Sequence, residues 1–191
     1  MAVVQLASQE DVEAILGRDL TSAEVARVDA ILDKASELFR RVSGQQFTAG
    51  TSDVRLRAVG RYVYLMQRPV VSVEAVADME GDAVEYTLDG SRIVFEDPAG
   101  GEFFQVEYTH GGDVPDLVRL TIAEIAAKVL RIDSNALAGK VQHTDTAGPY
   151  STNDTYATWA QGGQTMLAPS DLEIARSYRV KSYGPVAVMV P

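Results

Sequence analysis

A chain of 191 residues, 46% hydrophobic and 23% charged, has the composition of a folded domain with a real core and not of a disordered segment. It contains no cysteine, which excludes disulfides, thiolate metal sites and cysteine nucleophiles. Its formal net charge of −10 excludes nucleic-acid binding by wholesale phosphate neutralisation, which needs clustered Lys and Arg.

The first predicted element is a short helix over 8–17. Ser8 caps it, Asp11 holds the capping-box position, Val12, Ile15 and Leu16 form its apolar face, and Gly17 ends it. Met1 to Leu6 has neither the basic flank nor the apolar stretch of a secretory leader. A second box, Thr21-Ser22-Ala23-Glu24, opens a long helix over 22–43 that Gly44 stops. Val25, Val28, Leu32, Ala35, Phe39 and Val42 are spaced 3-4-3-4-3, and Ile31 and Leu38 widen that stripe. Two readings stand: a helix buried on one side by its own domain, or on a second side by a neighbouring subunit.

Residues 46–110 change character. β-branched and aromatic runs occur at Val54–Val59, Arg61–Leu65, Val70–Val76, Val84–Leu88, Arg92–Phe95 and Phe103–Thr109. Asp89-Gly90 between two of them is a two-residue hairpin signal, and Pro69 precedes a strand, where its missing N–H is tolerated. The expectation is one small antiparallel sheet of five or six strands inserted between helices, hence an α+β fold.

Gly111-Gly112 closes the sheet, and Asp113 and Pro115 open a third helix over 115–132 that is apolar almost all round. A chain of this length has little core to cover such a helix, so a subunit interface is expected, with Leu32, Phe39, Ile122, Ile125 and Val129 as candidates. Residues 133–166 are rich in Ser, Thr, Asn, Asp and Gly, and read as a projecting arm or hairpin that orders on assembly, with Tyr150, Tyr156 and Trp159 as its contacts. A short helix over 169–179 carries Leu172, Ile174, Ala175 and Tyr178. The single domain then extends over 1–183, and residues 184–191 form a docking tail in which Val186, Val188 and Val190 alternate with Ala187 and Met189. Such a tail folds back on its own sheet or adds as a strand to a neighbour, with Arg179, Lys181 and Tyr183 at the rim.

The search for chemistry is empty. His110 before Gly111-Gly112-Asp113 reads as a half-exposed strand-end histidine, and His143 stands too far away in sequence to make a metal pattern with it. Asp78, Glu80, Gly81 and Asp82 look faintly like a calcium loop, but the glycine falls too early and no twelfth-position glutamate follows, so a charged turn is expected. Gly100-Gly101 and Gly162-Gly163 lack the strand and helix context of a phosphate loop, and no Gly-x-Ser-x-Gly elbow occurs. No apolar run reaches the ~20 residues of a membrane span. A protein with no catalytic activity, no metal and no cofactor is expected.

The order of parts resembles the head–tail adaptor, or connector, family of long-tailed double-stranded DNA phages over nearly the whole chain. The likeness lies in Leu20-Thr21-Ser22-Ala23-Glu24, in Val42-Ser43-Gly44-Gln45, and in the strand entry Leu65-Met66-Gln67-Arg68-Pro69-Val70-Val71-Ser72-Val73. It continues in Val106-Glu107-Tyr108-Thr109-His110-Gly111-Gly112, Val114-Pro115-Asp116-Leu117, Gly148-Pro149-Tyr150-Ser151 and Leu167-Ala168-Pro169-Ser170. The resemblance implies a ring, a dodecamer in most members, made in the host cytoplasm and built into the virion neck. Such a ring docks under the portal protein, receives the next neck or tail protein, and extends the DNA channel without gripping the DNA. Its rivals are another neck or tail-completion protein, such as a tail terminator, and a ligand-binding module with Tyr62, Tyr64 and Trp159 as a platform.

Overall fold

The computed structural model describes residues 4–132, 142–147, 150–155 and 165–180. Among them are four helices, α1 (Gln9–Leu16), α2 (Ser22–Ser43), α3 (Asp116–Leu130) and α4 (Pro169–Ser177). The strands are β1 (Gly50–Arg57), β2 (Tyr62–Tyr64), β3 (Val70–Ala77), β4 (Thr87–Asp89), β5 (Arg92–Val94), β6 (Phe103–His110), β7 (Gln142–Ala147) and β8 (Tyr150–Thr155). This is the α+β class expected. The chain divides into two compact units, Met1–Val42 with Pro115–Ser177 and Ser43–Val114 with Tyr178–Pro191, where the sequence suggested a single domain.

In the helical unit, both boxes form. Ser8 Oγ accepts from the Asp11 N–H, and the Asp11 carboxylate accepts from the Ser8 N–H at 2.8 Å. Glu24 closes the second box on the Thr21 N–H at 2.9 Å and also takes the Arg18 guanidinium. The residues before α1 run along α2: Leu6 N–H donates to Ser36 Oγ at 3.0 Å, Gln5 to Asp33 at 3.0 Å, and Arg40 to the Val4 carbonyl at 2.7 Å. Arg119 of α3 ties Asp11 of α1 to Asp116, while Asp171 caps α4 through the Ala168 N–H at 3.0 Å and meets Lys128 of α3 at 3.6 Å.

One broad stripe of α2 is buried: Val28, Ile31, Leu32, Ala35, Ser36, Phe39 and Ser43. Val25 lies outside it, 44% exposed. α3 is covered by its own chain on nearly every side, with Val118, Ile122, Ala123, Ile125, Ala126, Ala127 and Val129 all buried. The aliphatic surplus seen in the sequence is therefore mostly spent inside the protein, where burying each large side chain contributes roughly 1.5–3 kcal/mol.

In the sheet unit, the six strands form two three-stranded antiparallel sheets, β1-β6-β3 and β2-β5-β4, and not the single sheet expected. The reason is length. β2, β4 and β5 are three residues each, turned tightly at Gly60 and Gly90, both at positive φ, and make a self-contained ladder. One apolar cluster draws on both sheets: Val63, Leu65, Ile93, Val76, Phe104, Val106 and Tyr108. The Asp89-Gly90 hairpin forms as expected, with Asp89 opposite Arg92. In the other unit, β7 and β8 pair antiparallel from Gln142↔Thr155 to Ala147↔Tyr150.

Where β6 ends, Gly111 has φ +83°, and a Cβ there would lie 2.1 Å from the Thr48 carbonyl oxygen. Gly17, at φ +69°, has nothing within 4 Å of that position. Gly111→Ala is expected to cost about 3 kcal/mol, combining backbone strain with a clash against main chain. Gly17→Ala is expected to cost about 1–2 kcal/mol, the left-handed penalty alone. Denaturant unfolding of the two variants measures the difference.

Candidate functional site

In the sheet unit, two glutamines clasp each other's connecting segments. Gln45, 3% exposed, donates through Nε2 to the Met66 carbonyl at 2.7 Å and accepts through Oε1 from the Arg68 N–H at 2.9 Å. Gln67 answers, accepting from the Gln46 N–H at 2.8 Å and donating to the Gly44 carbonyl at 2.9 Å. The Tyr108 hydroxyl accepts from the Gln67 N–H at 3.0 Å, and Pro69 carbonyl accepts from Gly111 N–H at 2.9 Å. The segments around Gly44-Gln45, Met66-Gln67-Arg68-Pro69 and His110-Gly111 are thus joined by main-chain recognition. These are the segments on which the family resemblance rests, and their role in this fold is local architecture.

His110 departs from the expectation. It is 5% exposed, not half-exposed, because its side chain turns inward at the end of β6 beside Tyr108 and against Gly50. Its Nε2 lies 2.9 Å from Ser52 Oγ, and its buried Nδ1 has no hydrogen-bond partner among the described residues. A Ser–His pair of this spacing resembles the nucleophile and base of a hydrolase, but among the described residues no carboxylate orients the imidazole through Nδ1. Burial disfavours the imidazolium and holds the His110 pKa below its ordinary value.

Three surface features stand on the sheet unit. On the smaller sheet, Tyr62 and Tyr64 lie 6.3 Å apart, with the Arg92 guanidinium 4.9 Å over the Tyr62 ring and paired with Asp89. That cation occupies the ring face on which a ligand of the rival module would stack. On the larger sheet, Arg55 stacks 4.4 Å over Phe103, and Arg57 lies 5.9 Å from the same ring. At the end of β3, the Asp78 carboxylate accepts from the Glu80 and Asp82 N–H groups at 3.0 and 2.9 Å. That is a self-capped turn, as the charged-turn reading expected. A groove of about 370 Å³ is lined by Arg61, Glu85, Tyr86 and Glu96. Among the described residues, no group of three or more His, Asp or Glu could hold a metal ion. No helix among them is long and apolar enough to cross a membrane.

The residues singled out in the sequence for assembly fare differently. Leu32, Phe39 and Ile122 are 0% exposed, Ile125 2% and Val129 4%. All five are core side chains, so none presents a surface to a neighbouring subunit, contrary to the expectation. The 3-4 spacing that marked them is the signature of burial and does not say by what. The apolar side chains left outward on α3 are Leu117 and Leu120, 53% and 41% exposed and one turn apart. Tyr150 of the arm is 79% exposed, and Arg179 is exposed. Tyr156, Trp159, Lys181, Tyr183, Val186, Val188 and Val190 lie outside the described residues, as does the docking tail as a whole. The glutamine clasp and the Arg55–Phe103–Arg57 stack escaped the sequence reading. Only the register of β1 against β6, which puts Arg57 opposite Phe103 and Arg55 opposite Gln105, brings the stack together.

No family model matches the sequence, and no curated protein matches it. Among solved structures, the chain is similar to one from the neck of an empty GTA particle computed with C6 symmetry. That similarity has a TM-score of 0.49 and 20% identity, over 70% of this chain and 84% of that one. A likeness of this size carries no argument about role, which rests on the residues described above.

Two variants test the interior of this region. Gln45→Ala leaves the Met66 carbonyl and Arg68 N–H without their partner and is expected to cost about 1–3 kcal/mol in denaturant unfolding. For His110, the unfolded chain takes up a proton near the ordinary value of 6.5, and the folded protein only at lower pH. Stability contributed by the neutral ring is therefore full above pH 6.5 and is lost as pH falls from there through the folded pKa. His110→Gln should flatten that part of the stability profile. Since the chain has only two histidines, proton NMR should show one of them titrating below 6.5.

Proposed function

We propose that this chain is a non-catalytic structural subunit of the neck of a phage-like particle, acting as one member of a ring that joins the portal to the tail. The observation that carries the reading is the ordered series of junctions resembling the head–tail adaptor family. They run from the Thr21–Glu24 box through Gly44-Gln45, the Met66–Pro69 strand entry and His110-Gly111-Gly112 to the Pro115 helix start. In this fold each of the first four makes a specific capping, clasping or close-approach contact.

Further features support the reading. Leu117 and Leu120 form an outward apolar pair on a helix whose other apolar side chains are buried except for a half-buried Leu130, which suits contact with another chain. The charge of −10 suits a channel through which DNA must slide, since a ring that does not neutralise phosphates does not hold them. The Ser52–His110 pair serves the interior of the sheet unit and needs no substrate. The portal, the next neck or tail protein and the passing duplex are the partners of this reading, and the virion neck is its location. The arm and the 184–191 tail supply docking contacts in it.

The test is particle assembly. Leu117→Glu with Leu120→Glu should leave thermal unfolding nearly unchanged, because substitutions at exposed sites shift stability by about 0.5 kcal/mol or less. The same variant should fail to restore tail attachment to particles made without this chain, where the unaltered protein restores it. Full restoration by the variant would show that this face does not serve assembly. No restoration by the unaltered protein would overturn the neck role itself.

A further inference from the structure

We infer that neighbouring copies of this chain meet side by side through the sheet unit, the Arg55–Phe103–Arg57 face of one copy receiving the Asp78–Asp82 turn of the next. The inference rests on the ring reading above and names the contact that would build the ring.

The first half of the contact is an exposed cationic stack in an acidic chain. Both guanidinium groups lie against Phe103, which is 40% exposed. Among the described residues, Arg57 Nε donates to the Gly101 carbonyl alone, at 3.2 Å. The nearest carboxylate in sequence, Asp53, is engaged by the Gln105 amide. Among the described residues, neither arginine is in an ion pair. Two uncompensated guanidinium groups on an aromatic ring form the kind of anchor that interfaces favour, and they call for carboxylates.

The second half is the turn after β3, Asp78-Met79-Glu80-Gly81-Asp82. Asp78 is spent on holding the turn, but Glu80 and Asp82 are exposed and outside any ion pair among the described residues. Met79 stands between them, 47% exposed. A thioether suits the edge of a phenyl ring, and two flanking carboxylates suit two flanking guanidinium groups. The turn thus carries the chemistry that the stack lacks.

Topology puts the halves where a ring needs them. The sheet order is β1-β6-β3, so the arginines lie on one edge strand and the turn follows the other. Arg57 pairs with Phe103 and Ala77 with Gln105, so both features sit at the same end of the sheet. Two strand spacings, about 10 Å, separate the edges. The basic edge and the acidic turn are different surfaces, so the contact is head-to-tail and propagates around a ring, where a two-fold dimer would use one surface twice. Copies that each carry −10 repel one another, and a local basic face set against a local acidic turn fixes which sides approach.

Charge reversal on the full chain tests this. Arg55→Glu with Arg57→Glu, and separately Glu80→Arg with Asp82→Arg, should each weaken self-association at least tenfold in sedimentation velocity at moderate salt. Unfolding midpoints should not change, since all four side chains are exposed. Mixing the two variants should restore association, because each then offers the other a complementary edge. Unchanged association in either variant, or no recovery on mixing, overturns the contact. So does a wild-type protein that stays monomeric up to its solubility limit. If such monomers still restore tail attachment to particles made without the chain, the neck role stands and this contact alone fails.

Discussion

Strand β6 is paired on both sides, to β1 over its whole length from Gly50↔His110 to Arg57↔Phe103 and to β3 from Val70↔His110 to Ala77↔Gln105. The rest of the sheet unit depends on that double pairing. Alternation sends Phe104, Val106, Tyr108 and His110 inward and leaves Phe103 and Glu107 outward. A slip of one residue would reverse every side chain and bury Glu107 in place of Val106. The same register that closes the core places Phe103 opposite Arg57. Core and outer face are consequences of one alignment.

The polar groups inside this unit are treated unequally. Gln45 has both ends of its amide used by main chain, so its burial costs little and fixes which segments meet. His110 satisfies one ring nitrogen and leaves the other bare. A bare buried ring nitrogen costs stability, and its position beside Gly50 and before Gly111 shows what that cost accompanies. The chain reverses so tightly here that Gly111 lies against the Thr48 carbonyl, leaving no room for a side chain at that corner. In the helical unit, Asp171 is buried yet caps α4 and faces Lys128, so its charge is compensated.

Among the described residues, two exposed features of this acidic protein differ in kind. The helical unit offers a small apolar pair on α3, Leu117 and Leu120. The sheet unit offers charge: a cationic stack at one edge and an anionic turn at the other. Apolar contact supplies affinity without choosing a partner, whereas opposed charges choose orientation and add less affinity when exposed. Under the neck role proposed above, a subunit binds unlike proteins along the particle axis and its own copies around it, and two kinds of surface suit two kinds of neighbour.

Local signals in the sequence determined the helices, the strands and the α+β class. Ser8 with Asp11, Thr21 with Glu24, Gly17, Gly44, Asp89-Gly90 and Pro115 act within four residues of themselves, so their effect is legible without knowing the fold. The acidity and the lack of cysteine were equally plain. Three things needed the tertiary structure. Periodicity marked Leu32, Phe39, Ile122, Ile125 and Val129 as buried, but hydrophobicity has no direction, and only packing showed that their own chain covers them. The division of six strands into two sheets followed from long-range pairing, which no turn residue encodes. The burial of His110 and the stacking of Arg55 and Arg57 on Phe103 join residues about fifty positions apart, and only the register of β1 on β6 brings such residues within reach of each other.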